Sequence, residues 1–254
     1  MAIKVNIASM FRDSQIWGGR LISQVPRFFN QITTQELLIR NKEIEIGKII
    51  CVYTESKDNT LEKLEQEKNK GRFNIEIIEH GSNYNTVKSS ASAERITELS
   101  SCGNIGLENS KNDCDFIFWV ESDIIIYDNF LLLKLLRAFD KIDKLGIISP
   151  IILLDTNNTY FYDTYVFRSL DGSQWRNKWI WSDDFNDHNQ YIPMNSVGSC
   201  GLIKADLIRE GCSFKNGAFI NLCKEVKLKE FGVYCDKRTF IYHPSSILLS
   251  QRWV

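Results

Sequence analysis

Proline and histidine are scarce in this 254-residue chain, at 4 and 3 residues, and neither sign of charge prevails. Thirty-one basic residues face 32 acidic ones, a net charge of -1, so no bulk field exists to hold nucleic acid or an anionic membrane. Long apolar runs are missing as well. The longest, Ile124-Ile125-Ile126 and Leu131-Leu132-Leu133, fall far short of the ~20 residues that span a bilayer. No basic stretch followed by an apolar one opens the sequence, so no secretory signal is expected. No G-x-G-x-x-G follows a strand, which excludes a nicotinamide dehydrogenase. The seven cysteines, at 51, 102, 114, 200, 212, 223 and 235, include no C-x-x-C pair. Their odd number and apolar surroundings argue against a disulfide framework or a zinc knuckle and for reduced thiols in a cytoplasmic protein. What is present is ordinary: 43% hydrophobic, 12% aromatic and 25% charged residues, enough apolar material for a sizeable core.

The order of elements predicts an α/β fold. Ile3 to Met10 alternates as a strand, and Ile16 to Ile39 has helical periodicity that Pro26 divides into two short helices. Glu45 to Tyr53 is a near-continuous apolar run, which suits a strand buried on both faces. A helix over 60–70, a strand over 73–79 and a helix over 87–101 ended by Gly103 follow. The polar stretch from Cys102 to Cys114 reads as a surface loop, and Asp115 to Val120 as a buried strand. A helix over 129–140 and a short strand over 145–149, stopped by Pro150, complete the alternation. This pattern makes a mostly parallel central sheet with helices on both faces. Beyond Pro150 only a helix over 221–231 and a strand over 239–242 stand out, so the second half is expected to be loop-rich and to build a pocket over the first.

In open α/β sheets, ligands sit beyond the carboxyl ends of the strands. Two polar clusters fall there: Glu55-Ser56-Lys57-Asp58-Asn59-Thr60 and Glu121-Ser122-Asp123. Carboxylates two residues apart at the end of a buried strand suit a hard divalent ion that also takes substrate phosphates. The same residues also read as solvated turns. Trp175, Trp179 and Trp181, interleaved with charges, read as a stacking platform for a sugar or else as a lid or oligomer contact.

Taken together, these segments resemble a family. Ser56-Lys57-Asp58-Asn59-Thr60, then Arg95, then Phe118-Trp119-Val120-Glu121-Ser122-Asp123 is similar to the layout of GT-A glycosyltransferases, with Glu121 where the first Asp of D-x-D stands. Arg95-Ile96-Thr97-Glu98-Leu99, Phe161 to Arg168 with Asp171-Gly172, and Ser199-Cys200-Gly201 resemble segments of the cryptococcal capsule-associated mannosyltransferases and their relatives. Gly103 stands where that subgroup has a second arginine.

The resemblance implies one glycosyltransferase domain over 1–254, with a nucleotide-sugar half over 1–127 and an acceptor half over 128–254. It implies a UDP- or GDP-linked donor, a glycan acceptor and a Mn2+ or Mg2+ ion held by Asp123, Glu121 and a late histidine, His243. Glu55, Asp58 and Arg95 would bind the nucleotide, though Arg95 also reads as a partner of Glu94 or Glu98 on its own helix. Glu225 would take the acceptor proton, with Asp163 and Asp206 as competitors. Arg168 and the three tryptophans would bind substrate. Two rival readings share the composition: a sugar nucleotidylyltransferase, faintly suggested by Gly18-Gly19-Arg20-Leu21, and a catalytically silent glycan- or partner-binding protein.

Overall fold

The computed structural model describes residues 2–12, 16–17, 20–21, 24–39, 44–81, 93–154, 161, 166–174 and 189–243. Strand β1 (Ile3–Phe11) precedes a two-residue pairing of β2 (Ile16–Trp17) with β3 (Arg20–Leu21). Then come α1 (Gln24–Ile39), β4 (Ile44–Thr54), α2 (Thr60–Asn69), β5 (Asn74–His80), α3 (Ala93–Ser110) and β6 (Phe116–Val120). The second half holds α4 (Leu131–Phe139), β7 (Leu145–Leu154), β8 (Tyr191–Pro193), β9 (Cys200–Lys204), α5 (Ala205–Arg209), a 3-10 turn at Lys215–Gly217, α6 (Ala218–Leu228) and β10 (Gly232–His243).

Eight strands form one sheet in the order β5-β4-β1-β6-β9-β7-β10-β8. The β5-β4-β1-β6 half is parallel, β9 runs antiparallel between β6 and β7, and β7 pairs parallel with β10. Helices α1, α2 and α4 cover one face, and α3, α5 and α6 the other. Sequence explains the placement of the central strands. Every residue of β7 but the last is buried, and so are the inner residues of β4, as strands covered on both faces require. Both halves of the chain share this sheet and its core.

Pro26 does not divide a helix: it lies in the first turn of α1, where its missing N–H has no partner to lose. Gly103 does not end α3, which runs through it to Ser110, so 102–110 is helix and not loop. A methyl group on Gly103 would lie 2.5 Å from the Phe214 ring, and one on Gly106 would lie 2.9 Å from the Trp119 ring. These glycines are contact points where α3 presses on the aromatic cluster Trp119–Phe214–Phe219.

Pro150 does not stop β7, because the register shifts beside it. Asp236 pairs with Pro150 but Phe240 with Ile151, so a bulge in β10 absorbs the donor that proline lacks. That same bulge hid most of β10, which spans 232–243 where only 239–242 was expected, and α6 lies at 218–228, three residues earlier than expected.

Candidate active site at the carboxyl ends of the strands

β6 ends at Val120, and the chain turns at once: the Ile124 N–H donates to the Glu121 carbonyl at 3.1 Å. The Glu121 N–H donates to the Ser199 carbonyl at 3.1 Å, tying the turn to the segment entering β9. Ser199 holds a positive φ of 57° to present that carbonyl. Beyond the turn, Ile125 and Tyr242 exchange backbone hydrogen bonds at 2.7 and 2.9 Å. This short bridge carries the end of β10 over the turn. It seats His243 against Asp123, with Nε2 donating to Oδ2 at 2.9 Å. The pair, 120 residues apart in sequence, forms at the carboxyl ends of β6 and β10.

Helix α1 supplies a second support. Arg27 Nη2 donates to the Asp123 carbonyl at 2.9 Å. Gln31 donates to the Ile124 carbonyl at 3.2 Å and accepts from the Ile126 N–H at 2.9 Å. Gln35 repeats the pattern one turn later, donating to the Asp128 carbonyl at 2.9 Å and accepting from the Leu132 N–H at 3.0 Å. Three polar residues at i, i+4 and i+8 thus fix the backbone of the whole 123–132 segment. Sequence reasoning missed them. The signal was their spacing along a helix whose other buried positions, Val25, Phe28, Phe29, Ile32 and Ile39, are apolar except for Gln24 at its start.

Electrostatics single out Asp123. Burial alone would raise its carboxyl, but the His243 imidazole and the Arg27 guanidinium outweigh it and hold the group below the ordinary carboxylate range. Asp123 Oδ1 is buried with no hydrogen-bond partner, while Oδ2 is taken by His243. An ionised carboxylate with an orphaned oxygen and an imidazole beside it is a donor set suited to a divalent cation. Glu121, half-buried in the same turn, can join it, as can a substrate phosphate.

The other expected residues are placed as follows. Glu55 is exposed at the end of β4, and Asp58 accepts from the N–H and hydroxyl of Thr60 at 3.0 and 2.5 Å, which starts α2. Arg95 lies in the first turn of α3, its side chain outside the described residues. Arg168 reaches across its own turn to the Gly172 carbonyl at 3.3 Å. Asp163, Trp175, Trp179 and Trp181 lie outside the described residues, as do Gly18 and Gly19.

Glu225 is not brought to the Asp123–His243 pair. Its carboxylate accepts from the Ser213 N–H at 2.8 Å and pairs with Lys215. The neighbouring Val226 packs on Gly146 at the start of β7, whereas His243 pairs with Leu154 at its far end. Eight residues of strand separate the two, about 25 Å. Asp206 is equally remote. It pairs with Arg209 just after Lys204, and Lys204 is registered with Phe116, the first residue of β6.

Neither a protein-family model nor a curated protein matches the sequence. Solved structures do. S. aureus TarS 1-349 superposes with a TM-score of 0.56 at 13% identity over 96% of this chain and 60% of that one. GalNAc-T7, in a structure with UDP, GalNAc and Mn2+, superposes with a TM-score of 0.64 at 11% identity over 96% of this chain and 43% of that one. This chain therefore spans about two fifths to three fifths of the length of these neighbours. Shared identity is low, and what the likeness shows is architecture: a single α/β domain with a mainly parallel mixed sheet, the fold of the GT-A glycosyltransferases.

Proposed function

We propose that the protein transfers a sugar from a UDP- or GDP-linked donor to a hydroxyl of a glycan or glycoconjugate, with a divalent cation at Asp123. One observation carries the reading: the Asp123–His243 pair and its orphaned carboxylate oxygen at the strand ends where this fold accepts ligands. Two facts about neighbours support it. TarS has been crystallised with UDP, and GalNAc-T7 with UDP, GalNAc and Mn2+. The finer likeness to the capsule-associated mannosyltransferases rests on the sequence segments alone and favours a hexose or deoxyhexose donor.

In this proposal Asp123 and His243 would hold the cation, His243 releasing to solvent the Nε2 proton it shares with Asp123, and Glu121 would support it. When bound, the ion supplies charge that offsets the departing nucleoside diphosphate. The chain's own residues do the rest. Arg27, Gln31 and Gln35 keep the 123–132 backbone in place, so the Asp123 carboxylate would be set for the cation without first reorganising. Glu55, Asp58 and Arg95 would bind the nucleoside and its phosphates, and Arg168 with the three tryptophans would hold the acceptor. For transfer with inversion, the acceptor hydroxyl must pass its proton to a carboxylate. We assign that task, on sequence grounds, to Asp163 in place of the distant Glu225.

The test is metal-dependent binding and donor cleavage. UDP or GDP with Mn2+ is expected to raise the melting temperature, as ~2.7 kcal/mol of stabilisation does at a hundredfold excess over Kd. Asp123→Ala should lose both that shift and slow donor hydrolysis. A shift that persists in Asp123→Ala, or one given equally by nucleotide without metal, would remove the assignment. Preference for a nucleoside triphosphate would indicate a nucleotidylyltransferase.

A further inference from the structure

A second group of ligating side chains lies at the far edge of the sheet. His80 is the last residue of β5, and Glu98 and Cys102 stand one turn apart on α3, hence on one face of it. His80 Nε2 lies 3.3 Å from Glu98 Oε1, and the ligand atoms of all three residues fall within 4.8 Å of one another. Among the described residues this is the only such grouping of three. Glu98 Oε1 is buried and, despite the nearby imidazole, receives no hydrogen bond. Cys102 packs on Ile50 and Val52 of β4, which fixes it beneath the other two. Three strand spacings, about 14 Å, separate the end of β5 from that of β6, so these residues are distinct from the Asp123 centre.

We propose that His80, Glu98 and Cys102 bind a zinc ion that clamps the end of β5 to helix α3, with water in the fourth position. The donor set decides the metal. One thiolate, one imidazole and one carboxylate suit Zn2+, whereas Mg2+ and Mn2+ favour oxygen. The spacing fits too: metal–ligand lengths of about 2.0–2.3 Å place tetrahedral ligand atoms about 3.3–3.8 Å apart, a small contraction from the arrangement seen. Binding ionises Cys102 and releases its proton to solvent. The metal would close the connection between β5 and α3 at its base. The proposal does not depend on the transferase reading.

Cobalt(II) is the probe. Titrating metal-free protein with Co2+ should give a thiolate-to-metal charge-transfer band that saturates at one equivalent and disappears when Zn2+ is added. Cys102→Ser should abolish the band, and His80→Ala should weaken Co2+ binding at least about tenfold. Asp123→Ala should keep both the band and the affinity. Absence of a thiolate band, or its survival in Cys102→Ser, would overturn the proposal. Should Cys102→Ser fail to fold, His80→Ala decides alone, because that side chain is partly exposed; unchanged Co2+ affinity there would also overturn it.

Discussion

Gln31 makes two hydrogen bonds to the backbone beside Asp123, so its removal tests how firmly that turn is held. Gln31→Leu leaves the Ile126 N–H and the Ile124 carbonyl without their partner. It should lower stability by about 1–3 kcal/mol in urea denaturation. Gln31→Glu keeps the acceptor for Ile126 and should recover part of that loss. A loss below the resolution of the measurement in Gln31→Leu would mean that the Ile125–Tyr242 bridge holds the segment unaided.

Asp236 offers a second test at this scale. It is wholly buried in the β10 bulge, where burial raises its carboxyl above 3.8 against the opposing pull of the Arg238 N–H, Gln190, Lys134 and Arg238. A carboxyl with a raised folded-state pKa binds more protons folded than unfolded, so stability falls as pH climbs from 3.8 through that raised value. Asp236→Asn keeps the Oδ1 acceptor and removes the charge. Its stability relative to the parent should therefore be constant at acid pH and increase as pH rises, as read in denaturant melts across the range. A difference that is flat with pH would mean that the Asp236 carboxyl is not raised by folding.

Among elements, α3 is the instructive one. Gly103→Ala on an exposed helix would gain about 1 kcal/mol from propensity. Here the added methyl meets the Phe214 ring, so the variant should instead lose about 1–3 kcal/mol by chemical denaturation. A stabilised variant would mean that the ring swings aside at little cost.

The same residue shows why the sequence was misread there. Glycine ends helices when it supplies a left-handed turn, and it sits inside them when another element must come close. Local pattern does not separate the two cases, because Phe214 is 111 positions away. Pro150 poses the same problem, since the bulge that accommodates it belongs to β10. By contrast, β1 and β5 were legible from alternation and β4 and β6 from apolar runs, and so was the Glu121-Ser122-Asp123 turn that ends β6. The His243 partnership came only from family resemblance, and the α1 clamp went unread because amides at helical spacing look like an ordinary solvated face.

At the level of the whole molecule, one sheet unites both halves of the chain, and its core encloses every cysteine. All seven are free and buried, and burial raises each of their thiols. Native protein should therefore react slowly with a thiol-specific disulfide reagent, and denatured protein should release seven equivalents. Fast labelling of even one thiol in the native state would contradict this packing. Among the described residues no helix is long and apolar enough to cross a membrane.

The bridge between Ile125 and Tyr242 also bears on synthesis. The carboxylate emerges from the ribosome with the first half of the chain, but its imidazole partner follows 120 residues later. A nascent protein thus lacks the Asp123–His243 pair until β10 slots in beside β7. On the proposed function, competence for nucleotide is a late event, and a translation intermediate that has not reached residue 243 should fail to retain manganese.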